Sequence, residues 1–313
     1  INKLAEKLNI DPVQMRMKNL LREGDLLPVD SPLPSGVSLD SVVETCARSA
    51  GWNQEKDTGF SRPVSWMENG KKHGIGFSCA FKNVGFSFGA KETCWAAVEL
   101  FGQRYIEKVV LRHAGAEVGQ GAHTVFIQMA AHALGVNPEI VELIPSDTAY
   151  TGNSGSVSAS RMTFMAGNAI KGAAEGALSK WKAEERPAVA EYRYFAPETT
   201  PFDSENGKCV PNFSYGYVAE AIECEVDEET GKITIIKVIC ADDVGKAINP
   251  MLIEGQIEGG IVQAAGYSIL ENFIQKDGKV LTDKLSTYLI PTVLDIPNDV
   301  ESIIMETPDQ VGP

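Results

Sequence analysis

Apolar positions along this chain switch between two periods. Ile1, Leu4 and Leu8 space one helical stripe. Asp11-Pro12 then offers an N-cap acceptor followed by proline at the first helical position, which predicts a second helix carrying Val13, Met15, Leu20 and Leu21 and ending near Gly24. Ser38–Ala50 predicts a third short helix, and the stretch up to Lys72 reads as polar and irregular. From there the period shortens. Residues 74–81 and 94–100 read as strands, and Lys108–Ala114 reads as a strand running into Gly115-Ala-Glu-Val-Gly119-Gln120-Gly121. Phe126, Met129, Ala130, Ala133 and Leu134 then return to helical spacing, with Gly135 placed to end the helix.

The same order recurs downstream. Ile222, Cys224 and Val226 alternate against Glu223 and Glu225, a turn spans Asp227 to Gly231, and a strand follows at Ile233–Ala241. A loop through Asn249-Pro250 leads to Glu254-Gly255-Gln256 and an apolar, glycine-containing helix to Leu270. Each copy reads as a hairpin, a loop bearing Gly and Gln, and a helix. The expected fold is α+β, with two similar lobes of mixed, mostly antiparallel sheet, helices on one face, and an N-terminal helical segment. The expected boundaries are 1–72 for that segment, 73–180 for the first lobe, 181–212 for a linker rich in Pro and charge, and 213–313 for the second lobe. Within the first lobe, Thr151–Ser160 precedes a helix whose apolar face is Met162, Met165, Ala166, Ala169, Ile170 and Ala173.

Composition narrows the chemistry. A formal net charge of -14 over 313 residues, with no block of Lys or Arg, argues against a nucleic-acid partner. An anionic ligand would have to rely on local donors such as backbone N–H groups and helix N-termini. The six cysteines contain no C-x-x-C pair, so neither a zinc site nor an iron–sulfur cluster is expected, and they read as thiols in a reducing compartment. No apolar run of about 18 residues and no leader appear, so no membrane partner is expected and the cytoplasm is the expected location. Residues 1–9 already read as helix, and both ends are expected to be cuts through something larger.

Three loops could hold an anion, each with a plainer reading beside it. Gly119-Gln120-Gly121 between strand and helix lets backbone approach a phosphate, or is a tight turn. Ser154, Ser156, Ser158 and Ser160 offer hydroxyls and N–H groups, or form a linker with Ser160 as N-cap. Gln256 at a glycine-rich helix start can donate and accept, or only pack. No Ser-His-Asp order, nucleophile elbow or Walker loop is present, and Asp242-Asp243 point to opposite faces of a strand end, so hydrolase chemistry is unsupported.

Four segments taken together say more. Glu117-Val-Gly-Gln-Gly-Ala-His-Thr124, Asp147-Thr148 with the small-residue run to Ser160-Arg161, Asp243-Val-Gly-Lys-Ala-Ile-Asn-Pro250, and Glu254-Gly-Gln-Ile-Glu-Gly259 stand in an order that resembles the molybdenum hydroxylases, the xanthine dehydrogenase and aldehyde oxidase family. The resemblance covers nearly the whole chain and extends to Asp11-Pro12 and Asn19–Gly24. It implies part of a molybdopterin-binding subunit of an oxidoreductase that hydroxylates a purine-like or other N-heterocyclic substrate, or an aldehyde, with oxygen from water. The implied cofactor is molybdopterin in its cytosine dinucleotide form with molybdenum, and [2Fe–2S] clusters and FAD would reside on partner domains or subunits.

Carried over by motif, Val118, Gly119, Gln120 and Gly121 would bind the pterin or its phosphate. Ser156, Val157, Ser158 and Ser160 would hold the pterin and its nucleotide tail, and Gln256 would approach the dithiolene. Val157 stands where some relatives have Thr, which leaves only backbone to serve there. The family's proton-accepting glutamate is expected beyond Pro313, so no catalytic or metal-ligating residue is assigned in this chain. It is expected to bind no cofactor and to be inactive alone. The alternative is a non-catalytic binding or scaffold module that keeps the fold.

Overall fold

The structure is a computed structural model that describes residues 1–55 and 59–313. The N-terminal segment opens with α1 (Asn2–Lys7), α2 (Pro12–Met17) and α3 (Leu39–Ser49). Asp11 caps α2 as its spacing predicts, accepting the N–H groups of Val13 and Gln14 at 2.7 and 3.2 Å. The helix stops earlier than expected, with Leu20 and Leu21 outside it. Asn19 Nδ2 and Arg22 Nη2 donate to the carbonyls of Met15 and Met17 at 2.7 and 3.1 Å, in place of a further helical turn. The stretch read as irregular contains β1 (Asn53–Glu55), β2 (Gly59–Ser61), β3 (Ser65–Glu68) and the start of β4 (Lys71–Asn83).

The first sheet is built from β5 (Thr93–Phe101), β6 (Lys108–His113), β7 (Val141–Pro145) and β8 (Ala188–Phe195), with α4 (Ala122–Leu134) between β6 and β7 and α5 (Met162–Lys182) before β8. Its order is β7-β6-β5-β8, antiparallel except for β6 and β7. Parallel neighbours need a crossover, and α4 supplies it. Alternate residues Cys94, Ala96, Val98 and Leu100 of β5 face one core with α4 and α5. The interior face of α5 is rich in alanine, with Ala166, Ala169, Ala173, Ala174 and Ala177 all fully buried, so the helix lies close on the sheet.

The second sheet adds β9 (Tyr215–Val226), β10 (Ile233–Asp243) and, after α6 (Pro250–Ile269) and the small hairpin β11 (Gln275–Lys276) and β12 (Lys279–Val280), the strand β13 (Asp299–Met305). Its order is β13-β10-β9-β4-β3. The repeat is visible in β5-β6-α4-β7 and β9-β10-α6-β13, each an antiparallel hairpin whose second strand crosses through a helix to a parallel neighbour.

Three features depart from the sequence expectation. Strand β4, placed by sequence in the first lobe, pairs with β9 of the second from Lys72↔Val226 to Asn83↔Tyr215. Strand β8, placed in the linker, is an edge of the first sheet, paired with β5. The second sheet carries helices on both faces: Tyr217, Ala219, Ala221, Ile239 and Ala241 pack with α3, whereas Val218, Ile222, Val238 and Cys240 pack with α6. Both faces of β9 and β10 are therefore apolar at their centres, which a one-sided sheet would not tolerate. Among the described residues no helix is long and apolar enough to cross a membrane.

Candidate functional site

The loops that follow β6 and β10 come together at the junction of the two lobes. The β6–α4 turn is organised by Glu117. Its carboxylate accepts the N–H groups of Gly119 and Gly121 at 2.9 Å and of His123 at 3.0 Å. Burial opposes the charge, but those N–H groups from His123, Gly121 and Gly119 outweigh it and hold the carboxyl below its ordinary range. The N-terminus of α4 thus already holds an internal anion. The Gln120 side chain stitches the same turn, with Oε1 accepting from Val118 N–H at 2.7 Å and Nε2 donating to Ala116 O at 2.9 Å.

The serine loop is fixed by a buried cation. Arg161 is 1% exposed and donates to Glu92 at 2.5 Å, to Ser156 O at 2.7 Å, to Thr93 O at 2.9 Å and to Ser154 O at 3.3 Å. Glu92 also accepts Phe86 N–H at 2.6 Å, joining the 82–88 loop to the same anchor. Ser154 is buried, accepting from Ala114 N–H at 3.1 Å and donating to Trp95 O at 2.8 Å. The hydroxyls of Ser156 and Ser158 lie 2.7 Å apart on the exposed side. The segment is an ordered loop rather than a linker, and Ala159 and Ser160 take left-handed backbone angles, φ 65° and 50°. Arg161, not Ser160, is the residue at the N-cap of α5.

The loop after β10 ends in Asn249-Pro250, the same N-cap and N1 signature as Asp11-Pro12. Asn249 Oδ1 accepts Leu252 N–H at 3.1 Å, and its Nδ2 donates to Gln128 Oε1 on α4 at 3.1 Å, tying the two lobes. Helix α6 therefore starts at Pro250, well before Gln256, which lies within it and not at its start. Gln120 stands one residue before the N-cap of α4, so the two glutamines are not equivalent in the repeat. Gly121 permits the lobes to approach, since a Cβ there would lie 2.6 Å from Leu252 Cδ1.

Between these elements runs a groove of about 490 Å³. Gln120, Val157, Ser160 and Gln256 line it together, although they are spread over more than a hundred residues of sequence. Val118, Gly119, Gly121, Ser156 and Ser158 lie outside its lining. Asp242, Lys246, Asn249 and Leu252, which no sequence motif assigned to a site, also line it. Burial, and then the neighbouring Asp243, push the Asp242 carboxyl up to about 6. The Asn249-Pro250 cap was a legible signal for the helix start that brings Asn249 and Leu252 here.

Two buried titratable groups of the first lobe, His113 and Cys94, are structural. His113 is fully buried, its Nδ1 accepts Gly115 N–H at 2.9 Å, and its Nε2 lies 3.3 Å from Cys94 Sγ. Burial drives His113 down to about 3 and Cys94 up to about 11, so both stay neutral at pH 7. All six cysteines are free thiols. Among the described residues no group of three His, Cys, Asp or Glu side chains could hold a metal ion.

Known proteins share this sequence and architecture. A family of molybdopterin cofactor-binding domains matches residues 45–184 and 177–297. A Bacillus subtilis protein named as a probable xanthine dehydrogenase subunit is 27% identical over 338 residues, spanning 98% of this chain and 44% of the relative. The aldehyde oxidoreductase of Megalodesulfovibrio gigas is 28% identical over 328 residues, spanning 99% of this chain and 34% of the relative. The crystal structure of the aldehyde oxidoreductase from Desulfovibrio desulfuricans superposes with a TM-score of 0.81 at 29% identity, covering 100% of this chain and 34% of that one. The chain thus spans less than half the length of these relatives. With most of its length matched by the family and the whole of it shared in fold, the chain belongs to the molybdopterin cofactor-binding domains of the xanthine dehydrogenase and aldehyde oxidoreductase family.

Proposed function

We propose that the inter-lobe groove is where this chain holds molybdopterin, as the cofactor-binding part of an oxidoreductase that hydroxylates a purine-like or other N-heterocyclic substrate. The observation that carries the reading is the meeting of Gln120, Val157, Ser160 and Gln256 on one groove of small-molecule size. The donor set suits a polar anionic cofactor. Among the described residues the Gln256 amide and the Ser160 hydroxyl make no hydrogen bond within the chain, and the wall's cation, Lys246, stands toward solvent 3.9 Å from Glu306, opposite in sign to the Asp242 carboxyl on the same lining. Gly255, Gly259 and Gly260 leave open space along the exposed side of α6, so a flat ring system can approach its backbone.

When bound, the cofactor's molybdenum supplies the oxidising centre. The chain's own part is to bind and orient. Gln256 donates and accepts from α6, Ser160 and the Val157 backbone from the serine loop, and Glu117, outside the lining, keeps the Gln120 turn in shape. The lining holds the Asp242 carboxylate and, among the described residues, no glutamate, and we propose that the family's proton-accepting glutamate stands outside this lining. The dinucleotide form of the cofactor, and iron–sulfur and flavin partners that carry electrons away, complete the proposal.

Molybdenum analysis of the protein as its gene encodes it, beside Gln256→Ala and Ser160→Trp, tests the binding site. Both variants should lose most of their molybdenum at unchanged fold, and full retention in both would remove the groove from the cofactor site. Turnover of hypoxanthine against benzaldehyde with an artificial electron acceptor then separates the N-heterocycle reading from an aldehyde-oxidising one.

A further inference from the structure

We propose that the open face of the second sheet, over β9 and β4 beside α6, receives one further helix, the counterpart of α5. The two sheets share an order and a set of strand senses. β7-β6-β5-β8 matches β13-β10-β9-β4, each with one parallel pair followed by two antiparallel pairs. The crossover helices match as well, α4 between β6 and β7 and α6 between β10 and β13. Crossovers between parallel strands share one hand, so α4 and α6 lie on equivalent faces. In the first lobe α5 lies on that face beside α4. In the second, among the described residues, the helix side chains packed there are those of α6, Ile253, Ile257 and Ile261.

Alternation along the strands lets matched positions be compared. Cys94, Ala96, Val98 and Leu100 of β5 face α4 and α5 and are fully buried. Val218, Glu220, Ile222 and Cys224, on the α6 face of β9, are only half-buried. The contrast sharpens on the outer strand. Gly172 and Gly176 of α5 lie against β8, where an added Cβ would sit 2.4 Å from Tyr192 Cδ1 and 3.0 Å from Ala190 Cβ. Gly76, Ser78 and Ala80 of β4 pair with Ile222, Glu220 and Val218 on the same face, and all three are exposed. A Cβ at Gly76 would meet nothing within 4 Å.

The bare side chains set what fits. Gly76, Ser78 and Ala80 project so little that an element laid on them comes backbone-close, as α5 comes to the first sheet through Ala166, Ala169, Ala173, Ala174 and Ala177. A helix does this with Ala or Gly at spacings of three and four residues, and α5's 21 residues span roughly 30 Å. Charge adds one requirement. Glu220 stands mid-face between Ser78 and Cys240, and among the described residues its side chain has no ion-pair or hydrogen-bond partner. Burial raises its carboxyl, and covering it further demands a counter-charge. The docking helix therefore carries a Lys or Arg among its small residues. The neighbouring α6 is apolar nearly all round, yet only Ile257, Ile261 and Gly266 are buried, which suits a helix with a second neighbour.

Helices α1 to α6 already have their places in this chain, and the relatives carry more than half of their length outside the part it matches. We therefore assign the helix to further polypeptide of the same subunit. The assignment does not depend on molybdopterin in the groove.

Thiol labelling of the protein as its gene encodes it tests this, with native cysteines told apart by peptide mapping. A thiol introduced by Ser78→Cys should react with a maleimide at least tenfold more slowly than one introduced by Glu229→Cys on the exposed turn between β9 and β10. Should Ser78→Cys fail to fold, Ala80→Cys is read in the same way. Ser78→photo-leucine, whose diazirine adds little bulk, then identifies the occupant by cross-linking and mass spectrometry. The expected cross-link lies within one polypeptide, on a segment with Ala or Gly at helical spacing and a Lys or Arg among them. Equal labelling of the two thiols overturns the proposal, as does a cross-link to a second copy, to a different protein, or to a segment without that pattern.

Discussion

Removing Arg161 should unfasten the serine loop that forms one wall of the groove. Its side chain and that of Glu92 are 2% and 5% exposed, and the pair is closed by a 2.5 Å contact. Arg161→Met leaves the Glu92 carboxylate buried without its counter-charge and takes donors from three carbonyls, those of Thr93, Ser154 and Ser156. Breaking a buried ion pair from one side costs about 3–5 kcal/mol, and the lost carbonyl contacts place Arg161→Met in the upper part of that range, because two of them belong to an irregular segment with few other partners. Arg161→Lys keeps the charge but not the fork, so it should recover only part of the loss. The double change Arg161→Met with Glu92→Leu removes both charges and should cost less than the sum of the single changes, because no buried charge is left alone.

Urea unfolding of the two single variants and the double variant supplies the cycle, and amide exchange across 154–160 reports the loop directly. A loss below about 1 kcal/mol for Arg161→Met, with exchange in the loop unchanged, would refute the argument that a buried cation orders this segment.

Three further perturbations act on the same junction. Asp242 is raised to about 6, so the folded state binds more protons than the unfolded chain between its ordinary value and pH 6. Stability should therefore fall as pH rises through that window, and Asp242→Asn should flatten the slope and gain roughly 1–3 kcal/mol at pH 7, read by urea midpoints at several pH values. Glu117 is lowered, so the stability it gives is present above its ordinary value and is lost as pH falls through the depressed one. Glu117→Gln should cost about 0.5–1 kcal/mol at pH 7, a capping loss discounted for exposure, and the difference from the parent should vanish in acid. Gly121→Ala combines a φ of 79° with a Cβ 2.6 Å from Leu252 Cδ1. It should cost roughly 1–3 kcal/mol in thermal melts and weaken the docking of the two lobes.

The parts legible in the sequence are those set by local chemistry. Periodicity located β5, β6, α4, α5, β9 and β10 by their apolar spacing, and Gly135 ended α4 in the left-handed conformation its position predicts, φ 68°. Partners were not legible. Strand β4 alternates like any strand, and nothing in residues 71–83 says that its neighbour lies near residue 220. The alternation of β9 reads as one apolar face opposed by Glu223 and Glu225, but that pattern covers only its last residues. The earlier Val218, Ala219 and Ala221 serve both faces, which is how α3 and α6 come to cover one sheet from two sides. Strand β8 hid in a segment read as linker because it is an edge strand with most of its residues partly or fully exposed.

The groove itself was legible as four motifs but not as a shape, and the reason is physical. Each repeat brings a hairpin's second strand out into a loop at the start of a helix, so one lobe alone offers only half a wall. The halves meet because Gly121 has no Cβ to hold off Leu252 and because Asn249 reaches Gln128 across the junction. Neither contact has a local signature, since each depends on a residue in the other lobe. Even the turn most suggestive of a phosphate cradle gives its N–H groups to Glu117, a carboxylate two to six residues away in sequence. The glycines and glutamine of that turn shape a wall, and the donors left over for a ligand stand mainly on the serine loop and on α6. A Gly-Gln-Gly turn can therefore line a groove, while the atoms free to donate there are decided by what the turn already binds.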